Sequence, residues 1–247
     1  MIKVRCLIRD EQIREVEDEV VEETPLSIFV NGRQFITAMI SPRMKREFVT
    51  GHLFSEGIIK NSEEIESLQI QENIARVLVS NPLKVLTRRT IVSGCGGGSS
   101  FLDESKLPEI ESDLEISDET IFDAIKSISG SELHRTTGGV HSCGIFTKDK
   151  IICISEDIGR HNALDKVIGH ALIVGYELSD TFVATTGRIS SDMALKCSTA
   201  NIPLIASRGA TTSLAIDIGK RTGLTIVGFV RGSKMNIYTN EHRIGDR

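Results

Sequence analysis

The stretch IVSGCGGGSSF (91–101) sets Cys95 among four glycines and three serines. The thiolate is the reactive form of cysteine, and its reactivity follows access and nearby positive charge. A Gly/Ser loop supplies access, and its backbone N–H groups can stabilise negative charge on sulfur. Arg88 and Arg89 lie near in sequence. Spacing alone leaves two readings open: a working nucleophile, or an incidental thiol in a flexible turn. Phosphate binding by the glycines is poorer, because GCGGGSS lacks the lysine of a P-loop.

A second set of residues repeats one arrangement. In EDIGRHNALDKVIGHAL (156–172), a strand ends at Glu156-Asp157, and Arg160, His161 and Asn162 sit at the turn and helix start that follow. In TTGRISSDMALKC (185–197), Arg188 follows a strand and Ser190 or Ser191 can cap a helix. In ASRGATTS (206–213), Arg208 precedes a Thr211 or Thr212 cap. Helix N-termini favour anions, and ligands of open α/β sheets gather beyond the carboxyl ends of the strands. Guanidinium groups at three such turns imply a ligand with several negative charges, phosphates above all. Arg231, Gly232 and Lys234 in FVRGSKMNIYTN (229–240) extend the basic set. Asp165 and Lys166 are expected to face the same cleft. In TTGGVHSCG (136–144), His141 and Cys143 fall on one strand face. Two ligands make a poor metal site, so His141 is read as a polar group at the cleft mouth, Cys143 as packing, and no metal is expected.

The elements that must position these residues follow from local patterns. LSIFVNGRQFITAMI (26–40) reads as a hairpin turning at Asn31-Gly32. A helix follows, with Ser41 as expected N-cap, Pro42 in its first turn, Phe48, Leu53 and Phe54 on one face, and an end at Gly57. Two more strands flank Glu72-Asn73. That β-β-α-β-β order over about 20–85 resembles a β-grasp roll. Past Asn81-Pro82, an acidic stretch (103–120) leads into a helix near 118–129. A hairpin turning at Lys148-Asp149 and a helix at about 161–175 come next, then alternating strands and helices. The expected fold class is therefore α/β: a layered domain with a partly parallel sheet (89–247) behind a small α+β roll (1–88).

Composition narrows the function. The 247 residues are 40% apolar and 26% charged, with net charge −5, which argues against a nucleic-acid footprint. No leader-like or membrane-spanning run occurs, so a cytoplasmic location is expected. The five scattered cysteines are read as free thiols.

Taken together, TGGVHSCG, EDIGRHNALDKVIG, TGRISSDMALK, IPLIASRGATTSLAIDIG and GFVRGSKMNIY resemble the signature of the FdhD sulfurtransferases, accessory proteins of formate dehydrogenase. The resemblance spans about 20–243. It implies a larger domain similar to cytidine deaminases and a homodimer. It implies sulfur accepted from a cysteine desulfurase as a persulfide on Cys95 and passed to the molybdenum or tungsten bis-guanine-dinucleotide cofactor of formate dehydrogenase. A guanine nucleotide would mimic part of that substrate. By position, the dinucleotide segment falls on Phe229, Val230, Arg231, Gly232, Ser233 and Lys234, with Arg160, His161, Arg188, Arg208 and His141 around it. The zinc signature of deaminases is not found, which argues against deamination. Many members carry C-x-x-C at the loop, whereas here the second position is Gly98. A delivery chaperone without sulfur transfer is therefore the alternative.

Overall fold

The computed structural model describes residues 1–80 and 107–245, together with the backbone of two short paired strands at 92–93 and 97–98. The domain boundary expected near residue 88 lies outside the described residues.

The chain opens with a feature the sequence analysis left unassigned. Strands β1 (Ile2–Arg9) and β2 (Ile13–Val20) pair as an antiparallel ribbon. Ile2, Val4, Cys6 and Ile8 alternate with a period of two in β1, but the apolar residues of β2 fall at Ile13, Val16 and Val20, which is not a strand pattern. Asp10 Oδ1 accepts the Gln12 N–H at 3.0 Å and closes the turn.

The roll follows as expected. Strands β3 (Thr24–Val30) and β4 (Arg33–Ile40) form the Asn31-Gly32 hairpin. Helix α1 (Lys45–Ser55) crosses over, and β5 (Ile65–Gln71) and β6 (Ile74–Val79) form the second hairpin. The sheet order is β4-β3-β6-β5, with β3 and β6 parallel at the centre. Leu26, Ile28 and Val30 from β3 alternate inward to meet Phe48, Val49 and Leu53 of α1 and Ala75 and Val77 of β6. Each large side chain buried there contributes roughly 1.5–3 kcal/mol.

The helix start corrects an expectation. Ser41 does not cap α1; the N-cap is Met44, in the left-handed region at φ 59°. Ser41 is occupied elsewhere: its N–H donates to Asp157 Oδ2 at 3.0 Å, its Oγ accepts from Ile158 N at 3.3 Å, and its carbonyl accepts from Lys166 Nζ at 3.1 Å. A good capping residue has become a link between the two sheets.

Beyond the short β7 (Val92–Ser93) and β8 (Gly97–Gly98), helices α2 (Asp118–Ser129) and α3 (Glu132–Thr137) lead into the larger sheet. Its strands are β9 (His141–Phe146), β10 (Ile151–Asp157), β11 (Phe182–Thr185), β12 (Leu204–Ser207), β13 (Thr225–Arg231) and β14 (Lys234–Thr239), in the order β10-β9-β11-β12-β13-β14. The β11-β12-β13 core is parallel and the flanks are antiparallel. Helices α4 (Arg160–Val174), α5 (Ser191–Thr199) and α6 (Ser213–Thr222) connect them.

Residue alternation divides the sheet between two helical layers. Phe182, Leu204, Ala206 and Val227 face α2, whose Ile121, Ala124, Ile125 and Ile128 recur at helical spacing. Val183, Ile205 and Ile226 face Leu164 and Ile168 of α4, Met193 and Cys197 of α5 and Ile218 of α6. All four residues of β11 and of β12 are buried, as strands covered on both faces should be.

The roll meets this assembly through α1 against α4. Gly51 and Gly169 lie at the crossing. A Cβ on Gly51 would run into the carbonyl oxygen of Asp165, and one on Gly169 into that of Glu47. The two helices therefore touch backbone to backbone.

Candidate functional site

Because β11, β12 and β13 are parallel, the turns that leave their carboxyl ends share one edge of the sheet. The antiparallel neighbours bring the end of β10 and the starts of β9 and β14 to the same edge. Every arginine turn singled out from the sequence is therefore on it.

The turns are bonded to one another. Arg208 N donates to Thr185 O at 3.1 Å, Ile189 N to Ala210 O at 2.9 Å, and Thr212 N to Ile189 O at 3.1 Å. Phe229 N donates to Gly209 O at 2.9 Å, which ties the β13–β14 tip to the β12 turn. Gly187 is packed so closely that a Cβ there would lie 2.8 Å from Arg160 Cβ and 3.3 Å from His141 Nδ1. Arg160, His141, Gly187-Arg188, Arg208-Gly209 and Phe229 thus follow one another along the edge. Arg188, Arg208, Arg231 and Lys234 are exposed, and Arg160 and His141 are half-buried.

The tip carries backbone strain. Phe229 has φ 54°, a region costly for a bulky side chain, and it lies in an interrupted stretch of the β13–β14 ladder. Such strain persists where surrounding structure holds it, and it concentrates at functional sites. The Phe229 ring stays 38% exposed, and the Arg231 guanidinium lies over it at 5.8 Å from the centroid. Gly232 takes φ 58° at the turn, and Ser233 is exposed beside it. Val230 differs from its neighbours. Its side chain packs inside with Ile121 and Leu204, so only its backbone is offered to a ligand.

The two histidines are held differently. His161 is 6% exposed, with Nε2 at 3.3 Å from Ser190 Oγ and 3.9 Å from Asp192 Oδ2. Burial, then the charges of Lys196 and Arg160, push its pKa down to about 4. Burial and Arg160 lower that of His141 as well. Both rings are neutral at physiological pH, among arginines.

Asp165 and Lys166 correct the sequence analysis: neither faces the edge. Lys166 is 0% exposed, with Nζ 2.7 Å from Asp157 Oδ2. Asp157, also 0% exposed, accepts from Gly159 N and Asn162 Nδ2, both at 2.9 Å. This pair builds the turn that presents Arg160 and His161. Asp165 accepts from His52 Nδ1 at 3.0 Å, Ser55 Oγ at 2.8 Å and Lys196 Nζ at 2.5 Å, which bind α1, α4 and α5 together. Burial opposes its charge, but Lys196 and His52 overcome that and hold its pKa at about 2. Helical spacing cannot reveal these roles, because Asp165 is claimed by α1 and α5 and the Asp157–Lys166 pair is covered by Ser41 from the roll.

Cysteine chemistry narrows by environment. Cys143 and Cys197 are 0% exposed in the core. Burial raises the Cys143 thiol and pushes Cys197 up to about 12 and Cys153 up to about 11. These are packing thiols, poor as nucleophiles. Cys6 sits on the N-terminal ribbon. Cys95 lies outside the described residues.

The chain matches the FdhD/NarQ family over residues 21–245. It is 37% identical to the sulfur carrier protein FdhD of Bacillus subtilis (strain 168), with 98% of this chain and 97% of that one covered. Identity to the protein of the same name from Methanothermobacter thermautotrophicus is 36%, covering 95% of each. The crystal structure of a candidate formate dehydrogenase accessory protein from Desulfotalea psychrophila superposes with a TM-score of 0.83 at 30% identity, covering 98% of both chains. The match along nearly the whole length, in sequence and in fold, places this chain in the FdhD/NarQ family.

Proposed function

We propose that this protein is a sulfur carrier that serves formate dehydrogenase, a cytoplasmic sulfurtransferase working through a persulfide on Cys95. The thiolate of Cys95 attacks the outer sulfur of a desulfurase persulfide. A new S–S bond forms, the old one breaks, and the desulfurase thiolate leaves. The substrate that receives the sulfur is the molybdenum or tungsten bis-guanine-dinucleotide cofactor. Arg160, Arg188, Arg208, Arg231 and Lys234 hold its phosphates, Phe229 offers a face for stacking, and His141 and His161 line the site. A second copy of the chain completes a homodimer.

The observation that carries this reading is the convergence of the arginine turns and the strained Phe229 tip on one sheet edge. The raised thiols of Cys143, Cys153 and Cys197 leave Cys6 and Cys95 as candidates, and the resemblance to the family favours Cys95, on its Gly/Ser stretch. The names of the relatives supply the sulfur. The test is mass spectrometry after incubation with a cysteine desulfurase and cysteine. The Cys95 peptide gains the mass of one sulfur atom, and Cys95→Ala gains none. Equal labelling of Cys95→Ala overturns the assignment. Gly98 favours a second reading, delivery of the cofactor without sulfur transfer, because no local partner thiol is present to resolve a persulfide. A Cys95→Ser variant that still matures formate dehydrogenase would establish it.

A further inference from the structure

Two buried hydroxyls, which the function above leaves unused, tie the turns of the carboxyl edge together. β11 ends at Thr185 and β12 at Ser207, and the two are paired in register. Both are 0% exposed. Each oxygen accepts the N–H two residues on: Gly187 N donates to Thr185 Oγ1 at 3.1 Å, and Gly209 N to Ser207 Oγ at 2.8 Å. Each hydroxyl then donates to the neighbouring chain. Thr185 Oγ1 donates to Ser142 O on β9 at 3.3 Å, and Ser207 Oγ to Gly187 O in the β11 turn at 2.6 Å. Phe229 N adds the last link, to Gly209 O at 2.9 Å. The links run one way, every donor pointing from β13 toward β9, so each bond polarises the next.

We propose that Thr185 and Ser207 are positioning residues: their hydroxyls hold the Arg188 and Arg208 turns at one spacing, which makes the carboxyl edge select a diphosphate over a monophosphate. This rests on the reading of that edge as a phosphate site and adds the feature of the ligand that it selects.

Two further observations join the hydroxyls to the arginines. Arg188 directly follows Gly187 and Arg208 directly precedes Gly209, so each hydroxyl fixes the backbone from which a guanidinium reaches out. The turns also touch: a Cβ on Gly209 would lie 3.3 Å from Arg188 N and 3.4 Å from the Gly187 carbonyl carbon. Neighbouring strands stand about 4.8 Å apart, so arginines on adjacent turns reach adjoining phosphates of one ligand. A single phosphate needs one turn and is indifferent to the spacing. A pyrophosphate joins its two phosphoryl groups through one oxygen, and the groups that grip it must be held within about 0.5 Å of their working geometry.

The experiment is calorimetric titration of the full chain with guanosine diphosphate and with guanosine monophosphate, and the quantity read is the ratio of the two affinities. Wild type prefers the diphosphate. Ser207→Ala strands the Gly209 N–H and the Gly187 carbonyl and lowers the ratio about tenfold, with monophosphate affinity within about twofold of wild type. Thr185→Val, which keeps the shape and loses the hydroxyl, does the same. Thr185→Ser, which keeps the hydroxyl, leaves the ratio in place, and this rescue separates spacing from packing. Should Ser207→Ala fail to fold, the Thr185 pair carries the test. Equal affinity of wild type for both nucleotides, an unchanged ratio in the folded variants, or equal weakening of both nucleotides overturns the proposal. Wild type that binds neither nucleotide sinks the phosphate reading of the edge itself, whereas diphosphate binding with the ratio intact in the variants sinks the positioning role alone.

Discussion

The two edges of the larger sheet carry opposite charge. At the carboxyl edge stand Arg160, Arg188, Arg208, Arg231 and Lys234, on turns bonded to one another. At the opposite edge, the β9–β10 turn and the approach to β11 surround a cavity of about 870 Å3 lined by Glu111, Asp113, Glu115, Asp149 and Asp180, with Lys148 among them. The same strands feed both edges, so the strands do not account for the difference. It resides in what each connection carries: Arg with a helix N-terminus on one side, carboxylates on the other. A net charge of −5 conceals this division, and a basic site survives in an acidic chain. The acidic hollow is not the better candidate, because its sign repels phosphates.

The comparison can be broken from beneath. The carboxyl edge stands on the buried Asp157–Lys166 ion pair, whereas under the acidic edge the buried Arg243 is held by the carbonyls of Gly223 and Ser112. Asp157→Ala strands the Lys166 charge and leaves the Arg160 turn unsupported, so unfolding in urea should show a loss of about 3–5 kcal/mol. Gly51→Ala drives a methyl into the Asp165 backbone and should cost about 1–3 kcal/mol or more in the same assay, with the domains' contact as the point of failure.

Ligand binding sharpens it next. Arg188→Ala or Arg208→Ala should each weaken guanosine diphosphate binding about tenfold by calorimetry, and added salt should weaken the wild type in the same direction. Asp113→Asn at the other edge should leave affinity unchanged and stability within about 0.5 kcal/mol.

Acidity separates the edges more gently. The folded protein holds His161 at about 4, below the ordinary 6.5. As pH falls from 6.5 toward 4, the unfolded chain takes up the proton first, so stability is lost across that window. The loss is on the order of 2 kcal/mol. Asp165, held at about 2, contributes stability above the ordinary carboxylate range that disappears only as pH falls further. Thermal melts from pH 7 down to pH 2 should therefore decline in two stages, the second below pH 4, and Asp165→Asn should remove the second.

Much of this was legible in the sequence because its signals are local. Asn-Gly hairpins, strand alternation and arginines after strands are read within a dozen residues, and α2, β9–β10 and the α/β alternation fall where they were expected. What escaped depends on partners far apart. Ser41 looks like a cap until Asp157, Ile158 and Lys166 claim its N–H, hydroxyl and carbonyl. Asp165 and Lys166 look like site residues until α1 and β4 close over them. The N-terminal ribbon escapes because only β1 alternates; β2 sets Ile13, Val16 and Val20 among charged residues at spacings of three and four, which resembles a solvated tail.

The most direct test of the edge assignment is a crystal structure with guanosine diphosphate bound. The account predicts phosphate oxygens within about 3 Å of side-chain nitrogens among Arg188, Arg208, Arg231 and Lys234, with Phe229 beside the ligand. Phosphates seated instead in the hollow between Lys148 and Asp180, or away from both edges, would contradict it.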